Sequence, residues 1–369
     1  MKRFIETFQN IWKIEELKQR ILTTLGLILI YRLGSYVVLP GIDTDVLTAA
    51  NANADDGGII ALINAFAGGA FSRASIFGLG IMPYITASII IQLLGMAVPY
   101  FQKMQKEGES GRKKINQYTR FLTVAVTAVQ APGYLAAQVY SKPGVVAIDH
   151  AWFGIQSTLI LVAGTMFIMW LGERITDKGI GNGISVLIMI GIISRLPFAI
   201  TSEFGSRLQS AGGGLIMFLL EIVFLLFIIV SCILLVQGTR RIPVQYAKKI
   251  VGDKQIGGVR QYLPLKVNAA GVMPIIFAQA IMFIPAAVSG FSGGTGGVFA
   301  DRYGFWYNFI FATLIIAFTY FYTAIMINPN QLADDMKKNG GFVPGVKPGK
   351  TTAEFIDAVM SRITLPGAI

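Results

Sequence analysis

The chain has one cysteine, Cys232, and one histidine, His150, in 369 residues. A single thiol excludes an internal disulfide framework and any cysteine-rich metal site, and a single imidazole argues against a His-based zinc centre or a Ser-His-Asp triad. Charge is scarce as well. Asp, Glu, Lys and Arg make up 14% of the residues, against about 25% in a soluble domain of average make-up. The 41 glycines and 14 prolines follow no collagen period and are too dilute for a low-complexity chain. What fills the sequence is apolar, with 54% hydrophobic residues and a mean hydropathy of +0.61. The composition is that of an all-α polytopic membrane protein.

A bilayer-crossing helix needs about 20 mostly apolar residues. Eight stretches qualify, roughly 21–39, 74–98, 118–140, 151–172, 182–202, 213–237, 269–290 and 305–327. The first 20 residues are charged and amphipathic with no small-residue cleavage site after the first span, so no cleavable signal is expected. Outside the spans the cations fall very unevenly. The segments on the side of the two termini hold 24, and the opposite loops hold 5: Arg73, Lys142, Arg195, Arg207 and Arg302. The positive-inside rule then places both termini in the cytoplasm, so the net charge of +11 is mostly cytoplasmic. Segments 238–268 and 328–369 become the two large cytoplasmic segments.

Between the first two spans, Asp43, Asp45, Asp55 and Asp56 precede a short apolar run over 57–66. As a helix that run reaches only ~15 Å, half a bilayer. Two readings stay open: a re-entrant, plug-like piece surrounded by protein or water, or an interfacial helix.

An internal repeat organises the rest. Residues 80–90 and 271–281 both read G-[IV]-M-P-x-I-x-A-x-x-I. The second span runs outside to inside and the seventh inside to outside, the sign of an inverted-topology repeat of five helices with its working site near the midplane. The expected halves are 1–202 and 203–369. Five plus five helices make ten and eight are present, so an incomplete chain is expected.

Catalytic motifs find little support. Residues 344–351 resemble the end of a phosphate-binding loop, but Pro344 replaces its first glycine, Pro348 stiffens it and no strand precedes it. Gly179-Ile180-Gly181-Asn182-Gly183 reads as a flexible helix entry, not a dinucleotide fingerprint. Intramembrane charge, the usual mark of an ion path, is limited to Arg32 and Arg120 in the first and third spans and Glu221 in the sixth. Cys232 lies in an apolar span and reads as packing. Ile81, Ile85, Ile188 and Ile276 are candidates for an apolar constriction that seals a pore by excluding water, the competing reading being ordinary packing or lipid contact. Pro83 and Pro274 are expected to free a carbonyl and bend their helices. The cations Arg240, Arg241, Lys248, Lys249, Lys254, Arg260 and Lys266 suit an acidic partner or an RNA surface, unless they only fix topology or touch anionic lipid.

Several motifs carry a resemblance. Arg32-Leu33-Gly34-Ser35-Tyr36, Ser72-Arg73-Ala74-Ser75-Ile76-Phe77, Lys106-Glu107-Gly108-Glu109-Ser110-Gly111-Arg112, Gly172-Glu173-Arg174-Ile175-Thr176, Arg240-Arg241-Ile242-Pro243-Val244 and Gly341-Phe342-Val343-Pro344-Gly345 follow one another along the chain. In that order they resemble the SecY family of bacterial protein-translocase channels. The resemblance implies a passive, non-enzymatic channel without cofactors in the bacterial cytoplasmic (inner) membrane, opening sideways to lipid. It implies a plug over about 57–71 (Ile59, Ile60, Leu62, Ile63 and Phe66), a pore ring of Ile81, Ile85, Ile188 and Ile276, and lateral-gate polar positions at Gln92 and Asn268. Docking of the ribosome or the ATPase SecA falls to Arg240, Arg241, Lys248, Lys249, Lys347 and Lys350. Lys347 stands where the family usually has Arg, which keeps the charge and loses the planar fork of donors. Small SecE-like and SecG-like subunits and signal-peptide-bearing preproteins are the implied partners, with anionic lipid at the basic loops. The family's ninth and tenth helices, the tenth contributing to the ring, are expected beyond 361–367. Two rivals predict different behaviour: a secondary transporter would carry a small solute with saturable flux, and an insertase-like scaffold would lack an aqueous pore.

Overall fold

A computed structural model describes residues 12–52, 64, 67–147, 149–209, 214–246, 249–251, 254–256, 260–279, 281–282 and 304–368. Among these the backbone divides into two compact units, one up to Glu203 and one from Phe204 onward.

In the first unit the helices are α1 (Glu15–Gly34), α2 (Thr44–Ala52), α3 (Met82–Ala97), α4 (Pro99–Lys106), α5 (Glu109–Leu135), α6 (His150–Lys178) and α7 (Gly183–Ile193). A π-helical turn, Ala136–Tyr140, extends α5, and α8 (Leu196–Gln209) begins here and runs on into the second unit. Helix α5 is the hub, packing on α3 and on α6, which also meets α1 and α7. Its buried face carries Thr119, Thr123 and Thr127, each donating its hydroxyl to the carbonyl one turn back at 2.6–2.9 Å. The polar groups satisfy themselves, which suits a face buried in a membrane. Close approach needs glycine at particular points. A Cβ on Gly183 would lie 2.0 Å from the carbonyl oxygen of Gly172, so the α6–α7 crossing tolerates no side chain there.

The second span is shorter than the hydropathy suggests. Residues 67–81 are turns, and α3 is 16 residues long, ~24 Å. Pro99 pushes Val98 into extended backbone (φ −109°, ψ 119°), and α4 leaves at 101° to α3.

The second unit holds α9 (Gly214–Gln237), a helical stretch over 273–279 and 281–282, α10 (Phe305–Met326), α11 (Pro329–Lys338) and α12 (Lys350–Ala368). Between α9 and the 273–279 stretch most of the described residues lie in β-strands, which composition did not foretell. Strands β1 (Thr239–Tyr246) and β4 (Arg260–Lys266) pair antiparallel, with Arg241 opposite Pro264 and Ile242 opposite Leu263. β5 (Gly341–Phe342) adds to the far edge of β1, giving the order β4-β1-β5. β2 (Lys249–Val251) and β3 (Lys254–Ile256) form a separate small hairpin. Pro243 is tolerated because β5 pairs only with Gln245 and Tyr246, leaving an open edge beside it.

Among the described residues five helices are long and apolar enough to cross a membrane, or six counting the bent α3–α4 pair. The sequence reading has eight spans. Helix α1 fails that measure because Glu15, Glu16, Lys18, Arg20 and Arg32 crowd its 20 residues, and part of 269–290 lies outside the described residues.

Candidate functional site

The repeat has a backbone counterpart in each unit. Gly80 and Gly271 both take left-handed conformations, with φ of 58° and 62°. Two residues later a helix begins at Met82 and at Met273, with Pro83 and Pro274 in the second helical position. A first-turn proline costs no hydrogen bond, because that N–H has no intrahelical partner. The expected mid-helix bends at these prolines are therefore corrected: both start helices. Burial follows the repeat too. Ile85 and Ile276 are 7% and 8% exposed, and Ala87 and Ala278 are fully buried. Ile81 caps α3 and is also buried, whereas Ile188 is half-buried on α7.

The expected plug side chains, Ile59, Ile60, Leu62, Ile63 and Phe66, lie outside the described residues. The stem that follows is pinned to α5 and its π turn. Tyr134 donates its hydroxyl to the carbonyl of Phe71 at 2.8 Å, its ring edge-on to Phe71 at 4.7 Å. Asn51 and Gln138 donate to the carbonyl of Ser72 at 2.8 and 3.5 Å. Fully buried Asn64 accepts from the Ser72 N–H at 3.1 Å.

The lateral-gate candidates are described each in its own unit. Gln92 donates to the Ser88 hydroxyl at 3.4 Å within α3. The Asn268 side chain accepts from the Gly271 N–H at 2.8 Å, so it sets the turn into the 273–279 helix. Two of the charged groups inside the spans, Arg120 and Glu221, have partners of opposite charge. Arg120 on α5 reaches Glu173 on α6 with two hydrogen bonds, of 2.6 and 3.3 Å, a pair that hydropathy could not join across 53 positions. Glu221 pairs with Arg207. Cys232 corrects its reading: it is exposed, on a helix that buries none of its residues within the chain.

The two basic segments form one module. Ile242 and Val244 of β1 point inward while Arg241 and Pro243 point outward. They meet Leu265 of β4, Met336 of α11, Val343, and Ile356 and Met360 of α12 in a single buried cluster. That core holds Arg240, Arg241, Lys347 and Lys350 at the surface, all exposed. Thr352 donates to the Lys347 carbonyl at 2.8 Å and fixes its loop. Lys350 opens α12, where a cation opposes the helix dipole, so helix stability does not account for it. Lys249 lies on β2, and Lys248 falls outside the described residues.

Long apolar helices, the same glycine-proline helix start in each unit and a folded basic module define a multi-pass membrane protein. Comparison makes this particular. A family model described as SecY matches residues 75–369. The chain is 42% identical over 381 residues to protein translocase subunit SecY of Streptomyces scabiei, covering 99% of this chain and 87% of that one. It is 45% identical over 366 residues to the Escherichia coli (strain K12) subunit, covering 96% and 82%. The chain belongs to the SecY family. Solved structures agree in fold. A protein-conducting channel matches with a TM-score of 0.64 at 17% identity, covering 95% of this chain and 83% of that one. The yeast Ssh1 complex bound to the 80S ribosome matches with 0.65 at 14%, covering 95% and 82%.

Proposed function

We propose that the chain is the channel-forming subunit of a protein translocase, passing unfolded secretory chains across the membrane and membrane segments sideways into it. The observation that carries this reading is identity above 40% with translocase subunits over nearly the whole chain. The channel is passive: partners supply the energy, and the chain performs no chemistry of its own. Halves 1–202 and 203–369 form the inverted repeat, and Ile81, Ile85, Ile188 and Ile276 form the apolar seal, supported by the matched burial of Ile85 and Ile276. The 57–71 segment serves as plug, with Gln92 and Asn268 at the lateral gate.

The membrane is the bacterial cytoplasmic one, with the basic module inside. There Arg240, Arg241, Lys248, Lys249, Lys347 and Lys350 dock the ribosome, as the ribosome-bound relative suggests, or SecA, and face anionic lipid. SecE-like and SecG-like subunits complete the complex. The small-solute transporter draws no support from these relatives. The test is a photo-crosslinker at position 85 in the assembled complex carrying a stalled secretory chain. Adducts to that chain are expected. Adducts to lipid alone would favour a scaffold without an aqueous path.

A further inference from the structure

In the first unit, three arginines converge on one cleft of about 760 Å³. Arg32 comes from the end of α1, Arg73 from the stem after the expected plug, and Arg195 from the junction of α7 and α8. Arg32 and Arg73 both donate to a single acceptor, the Gly68 carbonyl, at 3.3 and 3.0 Å. Both also lie against the Tyr36 ring, at 5.6 and 4.2 Å from its centroid. Gly68 is left-handed (φ 62°), and a Cβ there would stand 2.7 Å from an Arg32 Nη, so a bare backbone is what admits the guanidinium.

The arrangement is uncompensated. Among the described residues no carboxylate bonds any of the three arginines, and Arg73 feels Arg32 and Arg195 as like charges. The Nε of Arg73 is buried with no hydrogen-bond partner, although buried donors are nearly always paired. Burial first, and then the two neighbouring guanidiniums, push the Arg73 group below the ordinary arginine range, with Tyr36 acting the other way. Guanidinium forks match tetrahedral oxyanions, and gathered cations without acids are stabilised by a bound anion.

We infer that this cleft binds a phosphate group, held by Arg73 and Arg195 with Arg32 behind them. The group is either free phosphate or the headgroup of an anionic phospholipid on the face opposite the termini, since both present the same oxyanion to a guanidinium fork. The cleft shares no lining residue with the expected pore ring or the docking module.

The test uses the full chain in its assembled complex. In detergent, inorganic phosphate is titrated and its 31P line width followed. In nanodiscs of phosphatidylcholine with phosphatidylglycerol, native mass spectrometry counts the phosphatidylglycerol that is retained. Arg73→Gln and Arg195→Gln should each weaken binding roughly tenfold, the loss of one charged hydrogen-bonding group. Arg195 is exposed, so its variant decides the matter if Arg73→Gln fails to fold. Line broadening and lipid retention that both fall in the variants assign the site to a lipid headgroup. Broadening that falls in the variants with no retained lipid assigns it to free phosphate. Absence of both signals, or binding indifferent to both substitutions, overturns the inference.

Discussion

Ile356 is the most informative single position in the basic module. It is fully buried in the cluster that joins β1, β4, α11 and α12. Unlike the spans, this module is read as standing in water, so removing apolar surface from it carries the ordinary hydrophobic cost. Ile356→Ala deletes three carbons, about 2.4 kcal/mol at ~0.8 kcal/mol per methylene. The cavity left behind adds to this and puts the total at about 2–5 kcal/mol. A loss of that size is large for a small body and should open the β1–β4 ladder by more than tenfold in hydrogen exchange. Exchange in α5 and α6 should stay unchanged, because they belong to the other unit. Binding of ribosomes or SecA should weaken in parallel. A charge reversal, Arg241→Glu, should weaken docking as well but leave exchange protection intact, since Arg241 is exposed. If Ile356→Ala left the ladder as protected as in the parent, the single-core account of the two segments would be wrong.

Replacing Ile85 and Ile276 together by Asn should raise resting ion conductance of the complex in planar bilayers, and unchanged conductance would count against the seal. Tyr134→Phe removes the donor to the Phe71 carbonyl and should loosen the stem by about 1–3 kcal/mol, read as faster exchange at 70–75 with α5 itself unaffected. Gly80→Ala and Gly271→Ala should each cost about 1–2 kcal/mol from left-handed backbone alone, because neither position is crowded: the nearest atom to a Cβ on Gly80 is 3.8 Å away, and none lies within 4 Å at Gly271. Thermal unfolding of the two variants should therefore show similar losses, and a neutral result at either would undo the repeat argument there.

What the sequence made legible was what depends on nearest neighbours and composition. Apolar runs announced membrane helices because a bilayer demands length and apolarity of each segment by itself. The repeat marked Ile85 and Ile276 as equivalent positions for the same reason, since a local motif fixes its own turn. The basic module was harder. Counting its cations hid the alternation of Arg241, Ile242, Pro243 and Val244, a period of two that signals a strand with one buried face. Its partner core comes from residues near a hundred positions downstream, and no local pattern says that Ile356 meets Ile242. The Arg120–Glu173 pair and the three-arginine cleft share that property, each joining side chains from separate elements.

The prolines show why a correct motif can carry an incorrect mechanism. Proline inside a long apolar run suggests a bend, because in a helix interior it removes a hydrogen bond. That inference needs the helix to have begun earlier. Here Gly80 and Gly271 reverse the backbone just upstream, so the same proline falls in the first turn and stabilises the start. Ile85 and Ile276 then sit in the first turn of their helices, each bonded through its N–H to the carbonyl four residues back, Ile81 and Val272. The depth of these two side chains is set by where the helix starts. A rigid start anchored by a left-handed glycine and a proline holds an apolar side chain in place more firmly than a flexible mid-helix hinge would, and that fixity is what the proposed seal would require.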